Sequence, residues 1–375
     1  MLKTLDKTSL ALFVALTLGG CAQSPRQPTV GFNDSAMPVD TTPLRSVQQR
    51  PRRTGQYSAL PSANNLNRVR SVAVTAKTPA TRDSGDNLWQ RIRARLALTH
   101  LYHPRIQPQI FYMSRNPNYL NSLAERSRPF LHYIVEETER RGLPMELTLL
   151  PMVESGFQPT AISPKKAAGL WQFMPATGQQ WGLDSNPWYD GRHDLQASTQ
   201  AALDYLEYLH QYFNGDWLLA LAAYNAGEGT VQRAIEASLR AGRETDYWSL
   251  NLPQETEQYV PKLLALSQLV ANPNAYGLSL RIIANEPYLY RFDIGPDVNL
   301  SRVAALAGMS EGQLRFYNPC LKRDVTPPLN TYELLLPRNN ALVLLKKLED
   351  LRGLTDNRYL LVRHSDGRWQ VQPAL

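Results

Sequence analysis

The apolar residues of segment 86–276 recur at the three- and four-residue intervals of amphipathic helices, and this spacing limits the segment to a helical fold. Asp216 is a suitable N-cap for an apolar helix at 217–224. In the clearest helix, predicted over 196–213, the residues that share one face are Ala202, Leu203, Leu206, Leu209 and Phe213. Further helices are predicted at 88–101, 129–141, 230–239 and 255–270, and one ending at Glu154. We therefore expect a helical domain over residues 86–280.

The pattern changes after Tyr276. Two short strands are predicted at 289–292 and 332–336, with helices between them at 300–307 and 310–317. This strand–helix–helix–strand order predicts a compact α+β module over residues 285–340. Residues 341–375 are predicted to form a C-terminal extension with one more helix and a strand at 359–363. The predicted fold class is thus mainly α, with a helical domain followed by a small βααβ module.

The first 85 residues have a different composition. Lys3 and Lys7 precede a short apolar stretch at 9–18, which predicts a signal peptide over residues 1–20 that is too short for a membrane span. Residues 22–85 contain seven prolines and only two aromatic residues, so they cannot bury enough apolar surface to offset the entropy of ordering. We expect residues 21–85 to be a flexible linker.

Cys21 directly follows Leu18-Gly19-Gly20, which is similar to the lipobox of bacterial lipoproteins. The resemblance implies that Cys21 becomes the lipidated first residue of the mature chain. Ala22, in the next position, implies sorting to the outer membrane. The alternative is an ordinary signal peptide with an incidental cysteine.

The net charge of +7 is confined to the N-terminal region, because residues 1–85 hold 11 basic and 4 acidic side chains and the rest of the chain balances. A basic excess on a tether and not on a folded face argues against nucleic-acid binding. Cys320 is the only other cysteine, so a lipidated Cys21 leaves no intramolecular disulfide. The chain lacks the H-E-x-x-H, C-x-x-C and EF-hand patterns, and we expect no metal and no cofactor.

Glu154 follows the apolar run 147–153 and precedes Gly156, which can end a helix. A carboxyl group in such a position is expected to be partly desolvated, and desolvation raises its pKa toward the range that suits a general acid. The alternative is an exposed glutamate in the last turn of an ordinary helix. Three motifs further along the chain favour the first interpretation.

The four motifs, in chain order, are Glu154-Ser155, Gly169-Leu170-Trp171-Gln172, Ala222-Ala223-Tyr224-Asn225-Ala226-Gly227-Glu228-Gly229 and Glu255-Thr256-Glu257-Gln258-Tyr259-Val260-Pro261. Together they resemble the lysozyme-like catalytic domain of the lytic transglycosylases, in the soluble-type and goose-lysozyme-like branch. The resemblance covers residues 100–275. It implies a lysozyme-like helical fold and cleavage of the β-1,4 bond between N-acetylmuramic acid and N-acetylglucosamine, with a 1,6-anhydro sugar as product.

The resemblance also implies roles for single residues. Glu154 would donate a proton to the leaving glycosidic oxygen and then accept one from the muramoyl 6-hydroxyl, while Tyr259 holds Glu154 in place. Gln172 and Asn225 would bind the acetamido and glycan groups, and Tyr224 would line the cleft. The predicted substrate-binding set is completed by Ser155, Gly169 and Gly227.

Two-carboxylate glycosidases need a second acidic group. Asp190, Asp194 and Glu228 are candidates by composition, but helix capping and local ion pairing explain them better. Trp171 and Trp181 could stack on sugar rings, although a place in the core is the commoner fate of such residues.

The module resembles a lysin motif, mainly at 301–308 and 314–319, and carries an insertion near 295–300 where the usual first turn would lie. Glycan binding and structural packing both remain open for it. For the whole chain, the predicted partner is peptidoglycan glycan strands, at the periplasmic side of the outer membrane of a Gram-negative bacterium. The alternatives are a hydrolysing goose-type lysozyme and a catalytically silent murein-binding scaffold.

Overall fold

The computed structural model describes residues 86–294, 296–328, 332–354, 359–363 and 369–373. The predicted signal peptide, Cys21 and the linker lie outside these residues. Within the part of the chain that is described, no helix combines the length and apolarity that crossing a membrane requires.

Residues 86–276 are helical, as predicted. The α-helices are α1 (Leu88–Arg93), α2 (Gln107–Ser114), α3 (Pro117–Ser127), α4 (Leu131–Arg140), α5 (Leu150–Glu154), α6 (Pro175–Gln180), α7 (Leu195–Tyr212), α8 (Trp217–Ala226), α9 (Glu228–Arg240) and α10 (Gln254–Ala271). Short 3-10 turns lie at Pro104–Ile106, Met145–Leu149, Gly191–His193 and Pro273–Tyr276.

The core of this domain is built around α7, α8 and α10. The predicted apolar face of α7 is buried, and α7 packs on α8. Asp216 caps α8 as predicted, since its carboxylate accepts the N–H groups of Leu218 and Leu219 at 2.8 and 3.0 Å. α8 is buried along 219–223, where three alanines let its neighbours approach closely. α10 packs against both α8 and α2, so it is central to the domain.

The predicted helix at 88–101 is wrong in its second half, because α1 ends at Arg93. Glu146, which is fully buried, is the physical reason. Its carboxylate accepts the backbone N–H groups of Ala97 at 3.1 Å and Leu98 at 2.6 Å, so these groups do not continue the helix. Ser267 on α10 donates to the same carboxylate at 3.4 Å. One buried side chain thus joins three distant segments.

Helices α2 and α3 were not predicted. In α2, exposed Phe111 and Tyr112 adjoin buried Ile110 and Met113, so the apolar residues do not mark a single face. α3 does bury Leu120, Leu123 and Ala124 at helical spacing, but it is bounded by Pro117 and is interrupted by polar residues.

The C-terminal module contains β1 (Leu289–Ile294), α11 (Leu300–Leu306), α12 (Glu311–Tyr317), β2 (Tyr332–Pro337), α13 (Arg338–Leu354), β3 (Tyr359–Arg363) and β4 (Trp369–Pro373). The strands form one sheet in the order β2-β1-β4-β3. β1 is antiparallel to β2, with Phe292 opposite Leu334, and parallel to β4. The predicted strand–helix–helix–strand order is present. The boundaries of the domains stay predictions, and β4 places part of segment 341–375 in the sheet of the module.

β2 lies between two cores because successive side chains of a strand point to opposite faces. Leu334 and Leu336 belong to the core of the module, whereas Leu335 belongs to the core of the helical domain. Asn318 closes this region by donating to the carbonyl of Leu335 at 2.9 Å and accepting its N–H group at 2.7 Å. The module therefore shares buried surface with the helical domain.

Glu146→Ala is expected to lower the free energy of unfolding by roughly 3 kcal/mol, because two backbone N–H groups lose a charged acceptor in the core. Urea unfolding measures the change. Glu125→Ala is the matched control, since Glu125 lies at the surface in ion pairs with Arg128 and Arg281 and its loss should cost at most about 1 kcal/mol. Equal effects of the two substitutions would contradict the structural role of Glu146.

Candidate active site

Glu154 is the last residue of α5, and the chain turns sharply behind it. Gly156 has φ 60° and Phe157 has φ 57°, the left-handed region that disfavours side chains. Phe157 is nevertheless fully buried, and its N–H group donates to the carbonyl of Pro151 at 3.0 Å. Burial of this ring offsets a backbone cost of about 1–3 kcal/mol and fixes the position at which α5 ends.

The Glu154 carboxyl is held by Tyr259 of α10, as the sequence analysis expects. Glu154 itself is half-buried, and Tyr259 is buried. The Tyr259 hydroxyl donates to Oε1 of Glu154 at 2.5 Å. Burial raises the pKa of Tyr259 well above its ordinary value, so the hydroxyl keeps the proton that it donates.

The pKa of Glu154 is raised to about 7, mainly by burial and also by the nearby carboxylate of Glu255. The hydrogen bond from Tyr259 and the charge of Lys262 oppose this rise because both favour the carboxylate form. The group can therefore exist in both protonation states near neutral pH. Such a carboxyl can donate a proton and take one back.

Glu255 and Lys262 were not among the predicted site residues. Both lie on α10, at positions four before and three after Tyr259, and this spacing places all three on one helix face. Burial lowers the pKa of Lys262, whereas Glu154 raises it. The sequence contains the spacing, but only the packing of α10 against α5 shows that it bears on Glu154.

The loop 168–173 lies beside the end of α5. Gly169 has φ 78°, and a Cβ atom there would lie 1.9 Å from the carbonyl oxygen of Arg192. Gly169 is a member of the predicted substrate-binding set, and the group that lies against it in the structure is the backbone of Arg192. Gln172 has φ 49°, and its side-chain amide donates to the Gly169 carbonyl at 2.8 Å.

Two hydroxyl groups donate hydrogen bonds to the loop 168–173, one from a residue that precedes the loop in the sequence and one from a residue that follows it. Ser155, the residue after Glu154, donates to the carbonyl of Leu170 at 2.9 Å. Tyr224 of α8 donates to the carbonyl of Trp171 at 2.9 Å. The protons of both hydroxyls are thus used within the protein, and each group retains the ability to accept.

The third motif, residues 222–229, lies at the turn between α8 and α9. Asn225 accepts the hydroxyl of Thr256, on α10, at 2.7 Å, which ties the end of α8 to the helix of Tyr259. Gly227 has φ 84° and separates α8 from α9. Four motifs that are far apart in the sequence therefore converge on α5, α8, α10 and the loop 168–173.

The three candidate second carboxylates have structural partners. Asp190 pairs with the guanidinium of Arg192 at 2.7 Å, and the pKa of Asp190 is lowered although burial alone would raise it. Asp194 accepts the N–H groups of Gln196 and Ala197 and so caps α7. Glu228 accepts the hydroxyl of Tyr205 at 2.9 Å.

The two tryptophans have different positions. Trp171 is fully buried and its ring N–H donates to Thr199 at 3.0 Å, so it belongs to the core. Trp181 is half-buried against Tyr205 and Tyr208. Over the described ranges, no group of three or more His, Cys, Asp or Glu side chains could hold a metal ion. The expectation of no metal stays a prediction.

The chain matches two family models. Residues 132–246 match the model of the transglycosylase SLT domain, and residues 288–352 match that of the LysM-like domain of lytic transglycosylase MltD. Glu154 lies within the first match, whereas Tyr259 lies beyond its end.

Similarity to individual proteins covers more of the chain than the family models do. The chain is 40% identical over 255 residues to membrane-bound lytic murein transglycosylase D of Escherichia coli K12, covering 68% of this chain and 56% of that protein. It is 36% identical over 118 residues to the soluble lytic murein transglycosylase of Salmonella typhimurium, covering 30% of this chain and 18% of that protein. The chain thus spans about half the length of the first of these relatives.

Among solved structures, an inactive mutant of the lytic transglycosylase Slt from Pseudomonas aeruginosa is 26% identical, with a TM-score of 0.30, over 40% of this chain and 25% of that one. The fold is mainly α with a lysozyme-like SLT domain, as expected. The chain carries a transglycosylase SLT domain followed by a LysM-like domain, and it is similar to membrane-bound lytic murein transglycosylase D.

Proposed function

We propose that this protein is a peptidoglycan lytic transglycosylase. It cleaves the β-1,4 bond between N-acetylmuramic acid and N-acetylglucosamine and leaves 1,6-anhydromuramic acid ends. The observation that carries the proposal is the Glu154 carboxyl, with a pKa of about 7 and the Tyr259 hydroxyl at 2.5 Å. The similarity to proteins named lytic murein transglycosylases supports it.

The reaction needs one carboxyl group in two roles. Protonated Glu154 donates to the glycosidic oxygen while the bond from that oxygen to C1 of the muramoyl residue breaks. The resulting carboxylate then accepts the proton of the muramoyl 6-hydroxyl while its oxygen bonds to C1. Glu154 ends protonated again and no water is consumed. Tyr259 stabilises the carboxylate that exists between the two proton transfers.

The remaining site residues would hold the glycan. The amide group of Gln172 donates to Gly169, which leaves its oxygen to accept the N–H of an acetamido group. Asn225 would bind a second glycan group, and Tyr224 would form part of the wall. The other proposed members act by shaping the backbone around the sugar: Ser155, Gly169 and Gly227.

A hydrolysing goose-type lysozyme is the second candidate, because the carboxylate of Glu255 acts on Glu154 and is exposed. In that reaction a water molecule, activated by a second carboxylate, would attack C1. The products of the two reactions differ by one water molecule, so mass spectrometry separates them. A silent scaffold is less well supported, since it would have no use for the Glu154–Tyr259 pair.

We further propose that the protein works on the periplasmic side of the outer membrane, held by lipid on Cys21. The relative named membrane-bound lytic murein transglycosylase D supports membrane association in the periplasm. The lipid anchor rests on the Leu18-Gly19-Gly20-Cys21 sequence, and outer-membrane sorting rests on Ala22. Peptidoglycan strands would be the partner, within reach of the linker 21–85.

Glu154→Gln should abolish cleavage of purified sacculi, because the amide keeps the shape of the side chain and has no proton to transfer. Mass spectrometry of the released muropeptides measures the 1,6-anhydro product. Glu236→Gln, an exposed change on α9, is the matched control and should keep wild-type activity. Residual activity above a few per cent in Glu154→Gln would refute the mechanism with a single acid.

Tyr259→Phe should slow turnover by roughly tenfold to a hundredfold. Loss of a hydrogen bond to a charged group costs about 1.5–3 kcal/mol, and each 1.36 kcal/mol is about tenfold in rate. The donor favours the carboxylate, so its removal raises the pKa of Glu154 above about 7. A general acid works while protonated, and the alkaline limb of the pH–rate profile should therefore move to higher pH.

The control for this change is Tyr212→Phe, which removes a hydroxyl at a half-exposed position of α7. A Tyr259→Phe enzyme with wild-type turnover and an unmoved alkaline limb would show that Tyr259 only packs in the core.

Cys21→Ala should release the protein from the membrane fraction into the soluble periplasmic fraction, because the attachment site of the lipid is lost. Immunoblotting of fractionated cells measures the distribution. Cys320→Ala, which removes the other cysteine, should stay with the membrane. Persistence of Cys21→Ala on membranes after a high-salt wash would refute the anchor.

A further inference from the structure

We propose that the LysM-like module is a built-in brace that positions the active-site loop 168–173, and that residues 320–323 and Tyr332 act as positioning residues for catalysis. The inference rests on the proposed function for its kinetic consequence. Its structural content, that the module holds the loop, can be tested without any activity.

The brace begins at a loop of the helical domain, residues 186–190, which we call the clamp loop. Three successive carbonyl groups of this loop accept hydrogen bonds from the module. Lys322 donates through its ammonium to Asn186 at 2.7 Å and through its backbone N–H to Trp188 at 2.9 Å. Arg323 donates to Pro187 at 3.2 Å, and its guanidinium lies 5.9 Å from the centre of the Trp188 ring.

A fourth bond runs in the opposite direction, from the N–H group of Asp190 to the carbonyl of Cys320 at 2.9 Å. The clamp loop is also closed by hydrogen bonds of its own. The side chain of Asn186 accepts the N–H groups of Trp188 and Tyr189 at 2.8 and 3.0 Å, and the N–H group of Asn186 donates to the carbonyl of Tyr189 at 2.8 Å. The turn therefore keeps its own shape, and the contacts from the module fix its position relative to the module.

The module also contacts the start of α7. The hydroxyl of Tyr332 lies 3.4 Å from Oδ2 of Asp194, the carboxylate that caps α7, and 2.8 Å from the sulfur of Cys320. Burial raises the pKa of the Cys320 thiol well above its ordinary value, so this sulfur remains a neutral packing group. The segment between the clamp loop and α7 is thus held at both ends, at Asp190 and at Asp194.

Arg192 lies within that segment and carries the constraint to the active-site loop. Its guanidinium is fixed by Asp190 and donates to the carbonyls of Lys166 at 2.9 Å and Phe173 at 3.5 Å. Its own carbonyl oxygen occupies the space that a side chain at Gly169 would need. Movement of Arg192 therefore displaces the loop 168–173.

The loop 168–173 is in turn hydrogen-bonded to the residue next to Glu154. Ser155, next to Glu154, donates to Leu170, and Gln172 donates to Gly169. A continuous series of hydrogen bonds and one close backbone contact thus leads from Lys322 to the neighbour of Glu154. A displacement of about 1 Å in a catalytic site can cost up to a hundredfold in rate. Residues of the module can influence catalysis without touching the glycan.

Point substitutions test the brace better than deletion of the module, because deletion would remove Leu335 and expose the core of the helical domain against which it packs. The test variant is Lys322→Ala with Arg323→Ala in the full-length protein. The matched control is Lys346→Ala with Lys347→Ala, which removes the same charge from the exposed face of α13. A second variant, Tyr332→Phe, removes only the hydroxyl that faces Asp194.

We expect the test variant to lower kcat about tenfold, with KM and sacculus binding changed less than about threefold. The alkaline limb of its pH–rate profile should move to lower pH, because a looser loop lets water reach Glu154 and reduces the effect of burial on its pKa. Amide hydrogen exchange of residues 168–173 should become faster. The variant Lys322→Arg with Arg323→Lys keeps a donor at both positions and should have wild-type kcat. The control, Lys346→Ala with Lys347→Ala, should match the wild type.

Wild-type kcat, pH profile and exchange in the test variant would overturn the brace. So would a loss of sacculus binding at unchanged kcat, which would make the module a glycan-binding element. A wild-type protein that forms no 1,6-anhydro product would instead refute the proposed function. In that case the hydrogen-exchange comparison still decides the brace, because it requires no substrate.

Discussion

The hydrogen bond between Tyr259 and Glu154 is the interaction on which the site depends. A carboxyl group buried enough to hold a proton near neutral pH is poorly suited to the charged state that follows proton transfer. The Tyr259 hydroxyl compensates for this by donating a hydrogen bond to Oε1 of the carboxyl group. The two residues lie 105 positions apart in the sequence. The helical domain must therefore hold α5 in a fixed position against α10, and both α5 and the 3-10 turn that precedes it, Met145–Leu149, pack directly on α10.

Much of the site could be predicted because its motifs are local. The apolar run before Glu154 and the glycine behind it can be recognised in a few residues, and so can the face of α7. The end of α1 could not be found in this way, since it depends on Glu146, almost 50 positions away. The sequence marks Gly169 only as part of a motif, and the group that lies against it, the backbone of Arg192, comes from another loop.

The same limit applies to the electrostatics and to the module. The spacing of Glu255 and Lys262 about Tyr259 is present in the sequence, yet it becomes meaningful only when α10 faces Glu154. Glycan binding and packing remained equal choices for the lysin-motif-like segment, because the contacts of Lys322 and Arg323 are made to backbone carbonyls, which leave no mark in the sequence. Patterns of side chains in a sequence do not predict contacts that are made to backbone carbonyl groups.

The left-handed residues around Glu154 have a consequence for recognition. Gly156, Phe157, Gly169 and Gln172 all have positive φ values, and two of the four carry side chains. Their unfavourable conformations are adopted during folding, when burial of the core supplies the free energy. Under the proposed function, a glycan strand would meet a site whose backbone already has this conformation, and little of its binding free energy would be spent on bending the chain. More of that free energy would then be left to act on the sugar that reacts.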